Sequence, residues 1–317
     1  MTTSAPPTSE SAPLWKLGAA LFALYVIWGS TYFGIRIALV DLPPMGFAAM
    51  RFLVAGGLLY AFFRMRGTPR PTRVQWRNGV LIGFLLLAMG NGAVVLAQQT
   101  VSSSLAAVMV ATMPLFAGLW AGLAGERASR AEWLGLVIGF IGVAMLSGEG
   151  DLQASPLGAI LLVLAPASWA LGSVLSPRLP LAPGFMGSAV QMLGGGAIML
   201  VAAVVRGESW PSRIGMPSLL AWLYLVVFGS ILAFSAYGFL LRHVRTTVAT
   251  SYAYVNPVVA IALGVGLGNE VLGLRGLAGA ALVLAAVVLV TLGRGRRPVP
   301  RSTHVGPQPV DGRMPVE

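Results

Sequence analysis

Apolar residues in this chain come in long runs broken by short polar stretches, and the rhythm repeats from end to end. About 20 apolar residues are needed to cross a bilayer as a helix. The pattern predicts ten such spans, roughly Leu17–Val40, Met45–Phe63, Gly79–Ala97, Leu105–Ala124, Trp133–Ser147, Leu157–Leu179, Phe185–Val205, Leu219–Leu241, Thr247–Gly268 and Leu274–Leu292. The loops between them are mostly four to fifteen residues, so neighbouring helices run antiparallel. The expected fold class is an all-α polytopic membrane protein. The first run follows Lys16 and is too long for a cleaved signal peptide, so it is expected to stay as the first helix.

The second signal is an internal repeat. The stretch Val101 to Met145, VSSSLAAVMVATMPLFAGLWAGLAGERASRAEWLGLVIGFIGVAM, has a counterpart from Val244 to Val290. In both, a valine stands thirteen residues before a proline (Val101 and Pro114; Val244 and Pro257), and a glycine-rich run then reaches Glu126 or Glu270. Trp28 in YVIWGSTYFGI matches Trp169 in PASWALGSVLS, and Arg51 falls opposite Gln191. Each half then holds five spans. Five is odd, so the second half enters the membrane from the opposite side. That is the inverted-repeat plan of many secondary transporters, with the substrate near the midplane where the halves meet. Residues 17–148 form the first repeat and 154–293 the second. Residues 1–16 and the basic 294–317 are expected to be disordered tails.

Composition agrees: the chain is 56% hydrophobic and only 10% charged, against about 25% charged in soluble domains. The net charge of +11 does not point to nucleic acid, because the basic residues sit in short loops. With the N-terminus inside, sixteen Lys and Arg fall in inner segments and three in outer ones. Both termini are therefore expected to be cytoplasmic.

WGSTYFGIRIALVDLPPMGFAAMRFLVAGG, the MPLFAGLWAGLAGERAS segment and the glycine-rich helix after it resemble an EamA domain. The second half carries a more divergent copy ending in NPVVAIALGVGLGNEVLG. The resemblance spans about Leu17 to Leu292. It implies the drug/metabolite transporter superfamily: ten helices in two EamA repeats, the bacterial inner membrane, and export of amino acids or other small metabolites. These motifs do not name the substrate.

Polar and aromatic side chains inside spans are the candidate site, since such groups usually face a bundle interior. Trp28 and Tyr32 share one helix face, as do their counterparts Trp169 and Ser173; the four either converge on a cavity or pack the core. Tyr252 and Asn256 precede Pro257 and match Met109 and Met113. Asn91 lies deep in the third span, with Ser235 and Tyr237 as weaker candidates in the eighth. Arg51 could bind a substrate carboxylate, pair with Asp41 or a helix C-terminus, or snorkel, and Arg36 reads as a snorkelling residue. Pro114, Pro257 and Pro166 are candidate hinges, each deleting a helical hydrogen bond. A neutral or aromatic amino acid suits such a lining. No cofactor or metal is implied, and no protein partner is needed besides a small-molecule substrate and the bilayer.

No Asp, Glu or His lies at mid-depth in a span. Transport is therefore expected to be facilitated, with proton-coupled export of drugs or other metabolites, coupled through Glu126 and Glu270, as the alternative; both glutamates also read as turn anchors. A channel or scramblase is a further alternative. An intramembrane enzyme would need a nucleophile with a base, or a metal, and the chain offers no cysteine.

Overall fold

The computed structural model describes residues 13–123, 130–146, 155–243 and 252–295, and among these all regular structure is helical. In chain order the helices are α1 (Leu14–Ala38), α2 (Pro44–Met65), α3 (Arg73–Ala97), α4 (Ser103–Val110, resuming as Met113–Leu123), α5 (Arg130–Leu146), α6 (Pro156–Leu175), α7 (Phe185–Val205), α8 (Met216–Tyr224, continuing through Leu225–Leu232 and Ala233–His243), α9 (Tyr252–Gly268) and α10 (Leu274–Gly295). By length and composition, seven of them (α1 to α4 and α6 to α8) can cross a membrane, while the apolar parts of α5, α9 and α10 are shorter. In lipid every backbone group must find its partner inside the chain, which helices achieve by themselves.

Helix starts follow local chemistry. Pro44, Pro156 and Pro217 sit in the first turns of α2, α6 and α8, where a missing N–H costs nothing. Thr72 and Gln75 form a reciprocal capping box at the start of α3.

Packing is reciprocal between the halves. Helix α2 lies against α7 and α5 against α10, so these elements meet their own counterparts. Helix α1 packs on α8 and α9, and α6 correspondingly packs on α3 and α4. Glycines set the closest approaches. A β-carbon on Gly195 would lie 2.7 Å from the carbonyl oxygen of Gly83, and one on Gly56 would lie 2.8 Å from Cβ of Met192. Helices α3 and α2 therefore touch α7 nearly backbone to backbone, the contact that small residues permit in lipid.

Among the described residues three helices carry π-helical turns: Leu24–Trp28 in α1, Phe84–Asn91 in α3 and Leu225–Leu232 in α8. Helix α4 breaks at residues 111–112, directly ahead of Pro114. The proline has no N–H for the carbonyl of Val110 and disfavours helical geometry just before it. Thr112 bridges the gap by donating its hydroxyl to Met109 O at 2.6 Å. Pro166 and Pro257 lie within continuous helices.

Candidate functional site

The irregular turns of these helices converge on one place. Trp28 ends the π-turn of α1, Asn91 ends that of α3, and Gly229 and Ser230 lie in that of α8. Around them lies a cavity whose empty space, counted out to open solvent, is about 780 Å³. Helix α1 contributes Trp28, Thr31, Tyr32 and Ile35, whose spacing puts them on one face. Helix α9 brings Tyr252, Ala253, Asn256 and Pro257; α4 brings Ala107, Val110, Ala111 and Met113; α3 brings Gly90, Asn91 and Val94. Arg51 of α2, Ala165 and Trp169 of α6, and Phe234 of α8 close the wall. π-turns recur at functional sites because the extra residue in the turn re-aims side chains.

The aromatic side is a single cluster centred on Trp28. Its ring lies 4.9 Å from Tyr252 and 5.3 Å from Phe234, both edge-on, and 6.4 Å from Trp169 at 83°. The two tryptophans matched by the repeat thus meet face to edge. Trp28 Nε1 donates to Gly229 O at 3.2 Å, which fixes the ring. Gly90 makes room for Trp169, since a β-carbon there would lie 2.9 Å from its ring.

The polar side is small and under-satisfied. Arg51 is 2% exposed. Its Nε donates to Ser230 Oγ at 2.8 Å and its guanidinium lies 4.8 Å from the Phe52 ring, while Nη1 has no hydrogen-bond partner among the described residues. The side-chain oxygens of Asn91 and Asn256 are also buried without a donor among the described residues.

The structure thus brings Trp28, Tyr32, Arg51, Asn91, Met113, Trp169, Tyr252 and Asn256 to one wall. Two expected residues lie elsewhere. Met109 is buried in the apolar cluster of α3 to α6, α9 and α10. Ser173 returns its hydroxyl to Trp169 O at 2.8 Å. Of the weaker candidates, Ser235 likewise bonds back to Ile231 O, while the Tyr237 ring joins the aromatic cluster 5.4 Å from Trp28. Phe234 and Thr31 were not expected at the wall. Phe234 shares a helix face with Tyr237, and that pairing was the available signal.

One turn beyond the cavity, past Ile35 and Ala107, the helix ends are tied together. Glu270 follows Asn269, whose positive φ of 51° turns the chain back so that Glu270 N–H reaches Gly264 O; Asn tolerates this conformation better than most residues. The Glu270 carboxylate accepts the backbone N–H of Ser103 and Ser104 at 2.8 and 2.9 Å, accepts both their hydroxyls, and pairs with Arg36. It therefore caps the N-terminus of α4, where the helix dipole favours an anion. Burial pushes this carboxyl up, but the four hydrogen bonds from Ser103 and Ser104 outweigh it and hold the group below its ordinary range. Arg36 is thus an ion-pair partner rather than a simple snorkelling residue. Glu126, the repeat counterpart, lies outside the described residues. At the same end Glu208 accepts the N–H groups of Met45 and Gly46, and Asp41 accepts that of Gly215. Each of the three ties crosses from one half to the other.

The doubled helical unit, built around a shared cavity, matches one family description twice: the EamA-like transporter family, over residues 16–148 and 156–292. The chain belongs to the EamA-like transporter family. It is 47% identical over 282 residues to the "Uncharacterized inner membrane transporter YedA" of Escherichia coli K12, covering 89% of this chain and 92% of that protein. An "Uncharacterized transporter" of Archaeoglobus fulgidus is 25% identical over 84% of this chain and 94% of its own length. A known crystal structure at 21% identity, TM-score 0.62, covers 87% of this chain and 97% of its own, a likeness of fold alone. The EamA relatives are membrane transporters of the drug/metabolite superfamily, and the apolar helices of this chain suit the same setting.

Proposed function

We propose that this EamA-family chain is a ten-span secondary transporter that exports small metabolites, neutral or aromatic amino acids foremost, by alternating access. The observation that carries the reading is the cavity, whose wall is drawn from both repeats, with Trp28 of one against Trp169 and Tyr252 of the other. An aromatic pocket with a few convergent polar groups suits an amphipathic small molecule. The reciprocal helix pairing supports two halves related by a pseudo-two-fold axis in the membrane plane.

The basic-residue bias supports cytoplasmic termini, and the likeness to an inner membrane transporter supports insertion in a bacterial inner membrane. In that orientation the end tied by Asp41, Glu208 and Glu270 is the outer one, so this conformation is closed to the outside. Opening outward breaks those ties while the halves rock about the cavity. The interruption ahead of Pro114 is the foremost hinge, with Pro257 and Pro166 as further points of bending. Transport is facilitated: Glu270, the acid tied one turn from the cavity, is held ionised and takes up no proton near neutral pH.

Counterflow in proteoliposomes tests this reading. Phenylalanine or leucine inside is expected to drive saturable, stereoselective uptake of labelled substrate, unchanged by an imposed pH gradient. Acceleration by the gradient contradicts the facilitated mechanism. Flux linear in substrate to high concentration contradicts a carrier.

A further inference from the structure

We propose that Arg51, together with Asn91 and Asn256, reads the two charges of an α-amino acid: Arg51 the carboxylate, the two asparagine oxygens the ammonium group. This rests on the transport reading above and deepens it, because the aromatic wall selects only a side chain while these groups select the head.

Four buried side-chain atoms lack a hydrogen-bond partner among the described residues, and three of them belong to residues of this one cavity wall: Arg51 Nη1, Asn91 Oδ1 and Asn256 Oδ1. The fourth, Gln98 Oε1, belongs to a residue that otherwise binds Tyr32 O. Such orphans are rare in native proteins, and each calls for a physical reason. A buried cation without a counter-ion is the costliest of them. Arg51 forms no ion pair among the described residues; its described contacts include the Ser230 hydroxyl, the Phe52 ring and an electrostatic interaction with Tyr224. The described charged ties lie at the outer end, on Glu270 and Glu208.

The three orphans differ in sign. Nη1 is a charged donor in want of an anionic acceptor. The two Oδ1 atoms are acceptors in want of donors. Their complement carries a carboxylate at one pole and an N–H-rich cation at the other. An amine alone leaves Arg51 unpaired. An inorganic anion alone leaves both amide oxygens unpaired, and a second negative charge would face them. An α-amino acid answers all three, with its side chain toward Trp28, Trp169 and Phe234. A site built to pair polar groups rejects analogues that lack them, because its own groups are then left unpaired.

The test compares phenylalanine with phenethylamine, which lacks the carboxylate, and 3-phenylpropanoate, which lacks the ammonium, as competitors of counterflow and as ligands of purified protein in nanodiscs followed by tryptophan fluorescence. Wild type is expected to prefer phenylalanine over either analogue by about 10- to 100-fold, the weight of a hydrogen bond to a charged group. Arg51→Gln is expected to erase the preference over phenethylamine to within about 2-fold, and Asn256→Leu the preference over 3-phenylpropanoate. Ligand-free Arg51→Gln is expected to melt no lower than wild type, since it removes an unpaired buried charge. A wild type that takes phenethylamine as readily as phenylalanine overturns the inference and leaves the transport reading standing. So does an Arg51→Gln variant that melts like wild type and keeps the discrimination. Phenylalanine that binds in an Arg51-dependent way but never crosses the membrane overturns the transport reading alone.

Discussion

Glu270→Gln is expected to destabilise the protein by about 2–4 kcal/mol and to loosen its outer end. The amide keeps the shape but offers one acceptor oxygen where Glu270 accepts four donors from Ser103 and Ser104. The hydroxyls can turn, but a backbone N–H at the start of α4 cannot, and an unsatisfied buried N–H costs about 1–3 kcal/mol. Loss of charge at a helix N-terminus adds up to about 1 kcal/mol. Arg36→Ala is the contrast. Its side chain is 40% exposed, so solvent screens the pair and the expected loss is below about 1 kcal/mol. Thermal unfolding of the two variants in detergent checks the ranking, and equal losses would place the tie in the ion pair.

The same contact sets a pH dependence. The Glu270 carboxyl is depressed in the folded protein, so its contribution is fully present above the ordinary glutamate value of 4.5. It is lost as the pH falls below that value through the depressed one. Between pH 5 and 8 this group is expected to leave stability and flux unchanged.

Trp28→Ala is expected to lower counterflow at least about tenfold. The ring joins α1 to Trp169 of α6, to Phe234 and Tyr237 of α8 and to Tyr252 of α9, and aromatic pairs contribute about 0.5–1.5 kcal/mol each beyond burial. Truncating a buried aromatic also costs about 3–5 kcal/mol, so abundance alone could fall. Trp28→Phe separates the two effects. It keeps a ring in the cluster and loses the bond to Gly229 O, about 1 kcal/mol. Near-normal membrane abundance with flux reduced several-fold is expected for Trp28→Phe. Wild-type kinetics in both variants would make Trp28 a packing residue.

Much of this site could be read before any coordinates, because its residues are unlike their surroundings. Aromatic and amide side chains within an apolar span face inward, and the four-residue spacing of Trp28 with Tyr32 and of Tyr252 with Asn256 survives folding. Register did not carry over everywhere. Met109 was matched to Tyr252 on the assumption that both helices run alike up to their prolines. Helix α4 instead breaks at residues 111–112, which turns Met109 into the core and presents Ala107, Val110 and Ala111. The π-turns were equally invisible, since an extra residue per turn shifts the helical phase without any proline or polar marker. Phe234, two residues past such a turn, stands on the wall. Glu270 could be read as an anchor, but its partners lie 166, 167 and 234 residues away, and no spacing rule reaches that far.

If the cavity between the halves is the substrate site, it opens to each side in turn. The chain has no cysteine, so one introduced at Val110, on the cavity wall, is a unique reporter. In sealed vesicles of known orientation, Val110→Cys is expected to react with a membrane-impermeant thiol reagent from the cytoplasmic side and to be protected by phenylalanine. With Glu270→Gln added, it is expected to react from the outside as well. Labelling that ignores phenylalanine, or that stays one-sided when the outer tie is removed, would contradict a shared cavity with alternating access.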